Sequence, residues 1–452
     1  MPGRLIPVFL RFDDRLVNYR KRRGTSTSPL TPGPSPEGAG SFVGTSYDRT
    51  RHAAVRTDDY VFHQLIPYIG NKRRLLDLIG RAIAAAGLRP GATFFDLFAG
   101  SGVVSRFAKR RGFRVLSNDW EPYAEAINRC YVACDAAPTI RGQGYVRTID
   151  ELNALAPVDG WVTKHLCPTD DDRIDGSRDR LFYMRKNGMR IDAIRGRIAA
   201  WERAGDLTVE QRDCLLAPLL YQACYVSNTS GVFKGFHNGW GGQTGTALYR
   251  IASELTLRPA VFHRAAPAHV FRCDATELAQ GLSDETIDFT YLDPPYNQHP
   301  YGSNYHVLNT ITLWDAPPLP PKITGRGDKA AIRTDWRILR RSAYNKSSEA
   351  AAEYETLLRS LRSRWIATSY STDGTIALAD LVAANVRRGN VTVLTKGYKR
   401  YRVSSQRFSA KPMNVEFILL TDANAKPDVT VDEIVNRILC EERRVIASHP
   451  ET

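Results

Sequence analysis

The tetrapeptide Asp293-Pro294-Pro295-Tyr296 directly follows an apolar run at residues 287–292. Two consecutive prolines cannot continue a hydrogen-bonded ladder, so the run must end in a rigid turn. Such a turn fixes the separation between the Asp293 carboxylate and the Pro294 carbonyl, and Pro295 stiffens it further. Two fixed acceptors suit an amino group, which has two hydrogens to donate. Tyr296 offers a flat face on which a nucleobase can stack. Acidic, proline-rich turns are common at protein surfaces. This one is set apart by its place behind an apolar strand and downstream of a glycine loop.

That loop is Asp96-Leu97-Phe98-Ala99-Gly100-Ser101-Gly102. Two glycines at the carboxyl end of a buried strand let the backbone approach a ligand closely. The third glycine of the dinucleotide fingerprint is replaced by Ser105, so a nicotinamide cofactor is disfavoured. Asp119 stands where the next strand should end, and a carboxylate there can accept from both hydroxyls of a ribose. Glu121, two residues on, is a rival for that contact. Together these residues ask for an adenosine-containing cofactor without saying which.

Alternating strand and helix patterns position both loops. Residues 75–86 carry apolar positions at helical spacing; residues 92–98 read as a strand, 103–111 as a helix and 113–117 as a second strand. Further strands are expected at 269–274, 287–292, 365–370, 391–395 and 415–420. Residues 59–130 and 265–425 thus make an α/β domain. Residues 131–264 interrupt it as an insert, helical near 191–204 and 209–225, with a Gly- and aromatic-rich stretch at 227–242. Residues 426–452 are expected to be a helical tail. Residues 1–58 include a Ser-, Thr-, Pro- and Gly-rich segment that cannot bury enough apolar area to order itself, and read as a disordered basic extension.

The net charge is +14 from 62 Lys and Arg against 48 Asp and Glu, and the pI is about 9.5. A polyanionic partner is favoured, nucleic acid above all. The seven cysteines form no CxxC pair, which argues against a zinc site and a disulfide framework. His299 and His306 lack further ligands nearby, so no metal is expected. No apolar run approaches the ~20 residues of a membrane span. The apolar patch at 5–10 is too short for a secretory signal, so a cytoplasmic protein is expected.

Asp293-Pro294-Pro295-Tyr296 with Phe98-Ala99-Gly100-Ser101-Gly102 resembles the DNA adenine-N6 methyltransferases, in particular the class of Dam and many type II restriction-modification adenine methylases. Pro67-Tyr68-Ile69-Gly70-Asn71-Lys72 is similar to that class's first motif, an aromatic-x-Gly-x-Lys loop opening a helix. The motif order matches over roughly residues 60–425, strongly at the three motifs and weakly in the insert. The resemblance implies a Rossmann-like S-adenosylmethionine-dependent methyltransferase sheet, with the insert as a mainly helical target-recognition domain. It implies S-adenosyl-L-methionine as cofactor. Tyr68, Gly70 and Lys72 would line its methionine end, Asp96, Phe98, Gly100 and Gly102 would cradle it, Asp119 would hold its ribose and Asp274 its adenine amino group.

It further implies site-specific methyl transfer to N6 of a flipped adenine in double-stranded DNA, in restriction-modification, which leaves room for a separately encoded cognate endonuclease. A monomer is expected. Lys396, Lys399, Arg400 and Arg402, in a basic loop between two late strands, would touch phosphates. Lys234, His237 and Asn238, with Trp240, would read bases. The polar stretch 297–307 would line the flipped-base pocket. A cytosine-N4 enzyme usually carries Ser at position 293, and RNA or protein-glutamine methylases often carry Asn. A cytosine-C5 enzyme needs a Pro-Cys pair, and Cys167-Pro168 has the wrong order. Intact Lys72, Gly102, Asp293 and Tyr296 argue against an inactive DNA-binding module.

Overall fold

The computed structural model describes residues 59–448, apart from 243–244, 283–284, 297, 299, 320–321, 326–328, 332, 334, 337–340 and 400–412. Residues 58–452 form one compact unit. Its frame is a seven-stranded sheet: β1 (Thr93–Asp96), β2 (Arg114–Asn118), β5 (Ala268–Phe271), β6 (Ile287–Leu292), β7 (Ser363–Ser371), β8 (Asn390–Lys399) and β9 (Met413–Asp422). The strands β3 (Thr139–Ile140) and β4 (Gln143–Gly144) pair in a separate short ribbon. The order across the main sheet is β5-β2-β1-β6-β7-β9-β8. The first five strands of that order run parallel, and β9 is antiparallel to both β7 and β8.

This is the Rossmann-like α/β sheet that the sequence predicts, with all seven expected strands present. From β1 the chain winds outwards through β2 to β5, then returns to β6 on the other side of β1. That reversal makes a crevice at the carboxyl ends of β1 and β6, where open α/β sheets bind ligands. Both loops of interest leave the sheet there. The antiparallel β9 brings its first residues to the same edge.

The reason β1 and β6 are legible is burial on both faces. All four β1 residues are buried, as are five of the six in β6. Phe94, Phe289, Ala367 and Ile418 pack beneath the helix Leu76–Ala85 on one face. Phe95, Leu292, Ile366 and Phe417 pack on the other, against helices Ser347–Ser360, Leu378–Arg388 and Val431–Ala447. The last of these is the expected C-terminal helix. A capping box between Thr430 and Glu433 starts it, and Ile434 and Ile438 anchor it in the core.

The region expected as an insert carries the helices Tyr145–Asn153, Trp161–Leu166, Arg185–Ala204 and Val209–Tyr225, with long loops making up much of the rest. The third begins six residues before the apolar pattern does, because its first turn, Arg185-Lys186-Asn187-Gly188, has no apolar periodicity. Its apolar faces share one core with parts of the catalytic sheet region: Ile191, Ile194, Leu215 and Leu219 join Tyr123, Ile127, Tyr305, Leu308 and Ile311.

Candidate active site

The turn after β1 closes through Gly102 N donating to Ala99 O at 2.8 Å. Gly100 and Gly102 have φ of +51° and +78°, where a β-carbon is strained. A β-carbon on Gly100 would lie 2.7 Å from the Tyr68 ring, and one on Gly102 would lie 2.3 Å from Asn128 Oδ1. Asn128 in turn donates to Gly100 O at 3.2 Å, fixing the loop from below. Ser105, which breaks the nicotinamide fingerprint, donates to the buried Asp96 at 2.6 Å. Burial nevertheless pushes the Asp96 carboxyl up to about 7.

Asp119 sits one residue past β2. Its Oδ2 accepts from Gly100 N at 2.8 Å and its Oδ1 from Glu121 N at 2.9 Å. Burial raises its carboxyl to about 6. Asp119 therefore shapes the glycine loop as well as facing the cleft. Glu121 faces the same cleft, and Asn309 Nδ2 donates to it at 2.5 Å. Asp274 departs from expectation. It does not end a strand, because β5 stops at Phe271; it caps the helix Ala275–Gly281, accepting from Thr276 N at 2.9 Å. It still lines the cleft.

The cleft is walled by Tyr68, Phe98, Asp119, Glu121, Asp274 and Asp293, among others. Sequence patterns leave part of its wall unmarked: Trp120, Ser342, Tyr344 and Asn345. Tyr344 meets Phe98 edge-on at 5.7 Å, and its buried hydroxyl takes no hydrogen bond among the described residues. Phe98 and Tyr344 give the cleft an apolar, aromatic wall with an orphaned hydroxyl, and Asp119, Glu121 and Asp274 line it with carboxylates, a mixture that suits an adenosine moiety.

The turn that follows β6 forms another part of the wall, through Asp293 and Pro295. Lys72 opens a short 3₁₀ turn, Lys72–Leu75, whose entrance Asn71 caps. The Lys72 side chain is buried, 3.0 Å from Asp293 Oδ1 and 3.8 Å from Glu416 Oε2. Its ammonium also lies 5.0 Å from the centre of the Tyr296 ring. Burial raises the Asp293 carboxyl to about 6, against the opposing pull of Lys72. Gly70 (φ +76°) admits the hydroxyls of Tyr296 and Tyr301, each just over 3 Å from where its β-carbon would stand. Tyr68 stacks on Tyr301 and Tyr305, at 5.2 and 5.0 Å. Tyr305 accepts from Ile69 N at 2.8 Å, so the loop at 67–72 is clamped to the segment after the Asp293–Tyr296 turn. Of the expected site residues, Tyr68, Phe98, Asp119, Asp274, Asp293 and Pro295 line the cleft, while Lys72 and Gly70 meet Asp293 and Tyr296 behind it and Gly100 and Gly102 shape the loop after β1 above the buried Asp96.

The expected DNA-contacting residues are not part of this cleft. In the loop at 227–242, Lys234 and Asn238 are exposed and His237 half-buried. Asn238 accepts from Lys329 Nζ at 2.7 Å. Trp240 donates to Asp171 O at 3.0 Å, which makes it a loop anchor. Lys396 lies within β8, not in a loop, because that strand runs on to Lys399; its ammonium pairs with Asp77 at 2.5 Å. The Lys399 side chain, Arg400 and Arg402 lie outside the described residues, as do Asn297, His299 and the extension at 1–58. His306, expected near a base pocket, is buried and hydrogen-bonded to Phe233 O at 2.8 Å.

A mostly parallel sheet with an acidic and aromatic cleft at its switch point, and an Asp-Pro-Pro-Tyr turn in the cleft's wall, fits an adenosyl-cofactor-dependent amino-group methyltransferase. Residues 68–346 match the family model of the D12 class N6 adenine-specific DNA methyltransferases. The chain belongs to this family. It is 30% identical over 339 residues to the type II methyltransferase M.NlaIII of Neisseria lactamica, covering 74% of this chain and 92% of that protein. It is also 30% identical over 339 residues to the type II methyltransferase M.CviAII of Paramecium bursaria Chlorella virus 1, covering 75% and 93%. The modification methylase LlaI of Lactococcus lactis subsp. lactis is 28% identical over 366 residues, covering 78% of this chain and 54% of that protein. The protein is an adenine-specific DNA methyltransferase, and its methyl donor is S-adenosyl-L-methionine.

Proposed function

We propose that Asp293 and the Pro294 carbonyl accept the two N6 hydrogens of an adenine swung out of duplex DNA, with Tyr296 stacking on the base. The observation that carries this is the position of Asp293 at the end of β6, in the wall of the cofactor cleft. S-adenosyl-L-methionine, when bound, supplies an electrophilic methyl group on a sulfonium. The adenine N6 lone pair is delocalised into the ring and is a poor nucleophile. Acceptors on both hydrogens draw the nitrogen towards tetrahedral geometry, and the carboxylate stabilises the positive charge that develops on it. The proton that N6 gives up passes to Asp293. The rigid turn and the Tyr68–Tyr301–Tyr305 stack hold the base in line for attack, and no covalent bond to the enzyme is needed.

Phe98, Gly100 and Gly102 cradle the donor; Asp119 holds its ribose, with Glu121 beside it; Asp274 and Tyr344 take its adenine. Lys234, His237 and Asn238 read bases, while Lys399, Arg400 and Arg402 meet phosphates. Residues 131–264 serve target recognition. Similarity to proteins named type II methyltransferases supports a restriction-modification role, with a separately encoded endonuclease as partner. One chain holds cleft, catalytic turn and recognition loop, which supports action as a monomer. No described helix is long and apolar enough to cross a membrane. A DNA substrate supports a cytoplasmic location.

The test is transfer of labelled methyl groups to unmethylated genomic DNA, with Asp293→Asn in parallel and nucleoside analysis afterwards. Label in N6-methyladenine from the wild type alone supports the assignment. An Asp293→Asn protein of undiminished rate overturns it.

A further inference from the structure

Residues 415–420 read Val-Glu-Phe-Ile-Leu-Leu, an apolar strand with one carboxylate in it. Glu416 is only 7% exposed, and its register partners are Ser371 on β7 and Lys396 on β8. Burying a carboxylate is costly unless it is paired. Its Oε2 takes no hydrogen bond among the described residues, and the facing cation is the Lys72 ammonium at 3.8 Å. That distance is too long for a hydrogen bond and short enough for a small rotation to make one.

Lys72 therefore stands between two carboxylates at unequal distances, 3.0 Å from Asp293 and 3.8 Å from Glu416. The nearer one is the carboxylate that an adenine amino group must use. Asp293 Oδ1, like Glu416 Oε2, takes no hydrogen bond among the described residues, so Lys72 holds it as an ion pair; an adenine amino group at that oxygen displaces the ammonium, and a buried ammonium cannot be left without an acceptor. We infer that Glu416 is a positioning residue for methyl transfer: it takes the Lys72 ammonium as the adenine N6 amino group replaces that ammonium on Asp293. The inference rests on the proposed role of Asp293. A site of this kind keeps its net charge through the exchange, because the lysine swings between two acceptors and never leaves them. Without Glu416, the lysine stays locked on Asp293 and competes with the substrate.

The experiment is a double-mutant cycle on the full chain with Glu416→Gln and Lys72→Met, read as single-turnover methyl transfer to duplex DNA at saturating S-adenosyl-L-methionine. Thermal unfolding is measured alongside. Glu416→Gln is expected to slow transfer about ten- to a hundredfold, as misplacement of a reacting group does, with KM for DNA and donor nearly unchanged. Glu416→Asp, which keeps the charge, should recover part of the rate; it also carries the cycle if the Gln variant does not fold. In the Lys72→Met background, measured at pH 9 where Asp293 is ionised in every variant, Glu416→Gln should change the rate by less than about twofold, because the partner it acts through is gone. A wild-type rate in Glu416→Gln overturns the inference. So does an equal loss in both backgrounds, which would mean that Glu416 acts without Lys72. Asp293→Asn is run beside them. If it keeps the wild-type rate, the Asp293 reading fails on its own, whatever coupling the cycle shows.

Discussion

Replacing Lys72 by Met should move the acid side of the pH–rate profile upwards. The Asp293 carboxyl stands at about 6 because burial raises it while Lys72, 3.0 Å away, lowers it and Glu416 raises it. Asp293 must be ionised to accept N6 hydrogens. In the wild type about ten-elevenths of it is ionised at pH 7 and about one-eleventh at pH 5, so the transfer rate should fall about tenfold between them. Removing Lys72 leaves burial and Glu416, and both push the carboxyl up. Loss of an opposite charge at this range is worth about one pH unit or more. The midpoint should then lie near or above pH 7, where half or less of the activity remains, and alkali should restore it. Glu416→Gln removes a charge of the other sign and should move the midpoint down. The assay is single-turnover transfer of labelled methyl groups to duplex DNA from pH 5 to 9 at saturating donor, with unfolding measured at each pH. An acid limb that stays at its wild-type position in Lys72→Met, with a loss that is the same at every pH, would refute the reasoning: Lys72 would then act on the cofactor alone.

Three other outcomes follow from the geometry. Gly102→Ala puts a side chain at φ +78° and 2.3 Å from Asn128 Oδ1, so thermal unfolding should show a loss of about 2 kcal/mol or more, with donor affinity falling alongside. Tyr344→Ala removes one ring of the cleft wall; donor Kd by calorimetry should rise about tenfold while the rate at saturation changes little, and an unchanged Kd would remove Tyr344 from the site. Asp213→Ala strips the fully buried partner of Arg129 and Arg212, both at 2.6–2.7 Å, and should cost about 3–5 kcal/mol in chemical denaturation without a specific effect on donor binding.

The centre of the sheet is legible in the sequence because β1 and β6 are buried on both faces, and a short run such as residues 287–292, closed by two prolines, suits a buried strand and little else. The cleft is legible because glycines and prolines impose backbone geometry wherever they stand. Residues that act only through long-range proximity leave weaker marks. Asp274 reads as a strand end, since sequence does not show that β5 stops at Phe271 and that the carboxylate turns back to cap a helix. Lys396 reads as loop because Gly397 and the basic residues after it resemble a turn; the ladder with Met413–Glu416 extends the strand to Lys399. Glu416 does leave a signal, a carboxylate in the middle of an apolar strand, and it is informative only once β9 is known to run antiparallel to the edge where Asp293 sits. Tyr344 leaves none, since one tyrosine among polar residues has no period and no motif.

The insert shows the largest gap between pattern and packing. A change of composition, with early residues rich in Gly, Asp and Arg, marks residues 131–264 in the sequence as an inserted domain. Yet the helix after the catalytic turn, His306–Leu313, buries its Val307, Leu308 and Ile311 in the same core as the insert's own helices. Phe233 N donates to Asn304 O at 2.7 Å, and His306 bonds Phe233 O at 2.8 Å. The loop that carries Lys234, His237 and Asn238 is therefore pinned by two hydrogen bonds to the segment that follows Tyr296. Close-packed cores transmit displacement because they have little free volume in which to absorb it. A shift in that loop by even a fraction of a hydrogen-bond length must be taken up by Asn304 and His306, and from there by Tyr301 and Tyr305, which clamp Tyr68 and the backbone of Ile69. The fold thus supplies a continuous mechanical path from the loop proposed to read bases to the loop that holds Lys72 beside Asp293.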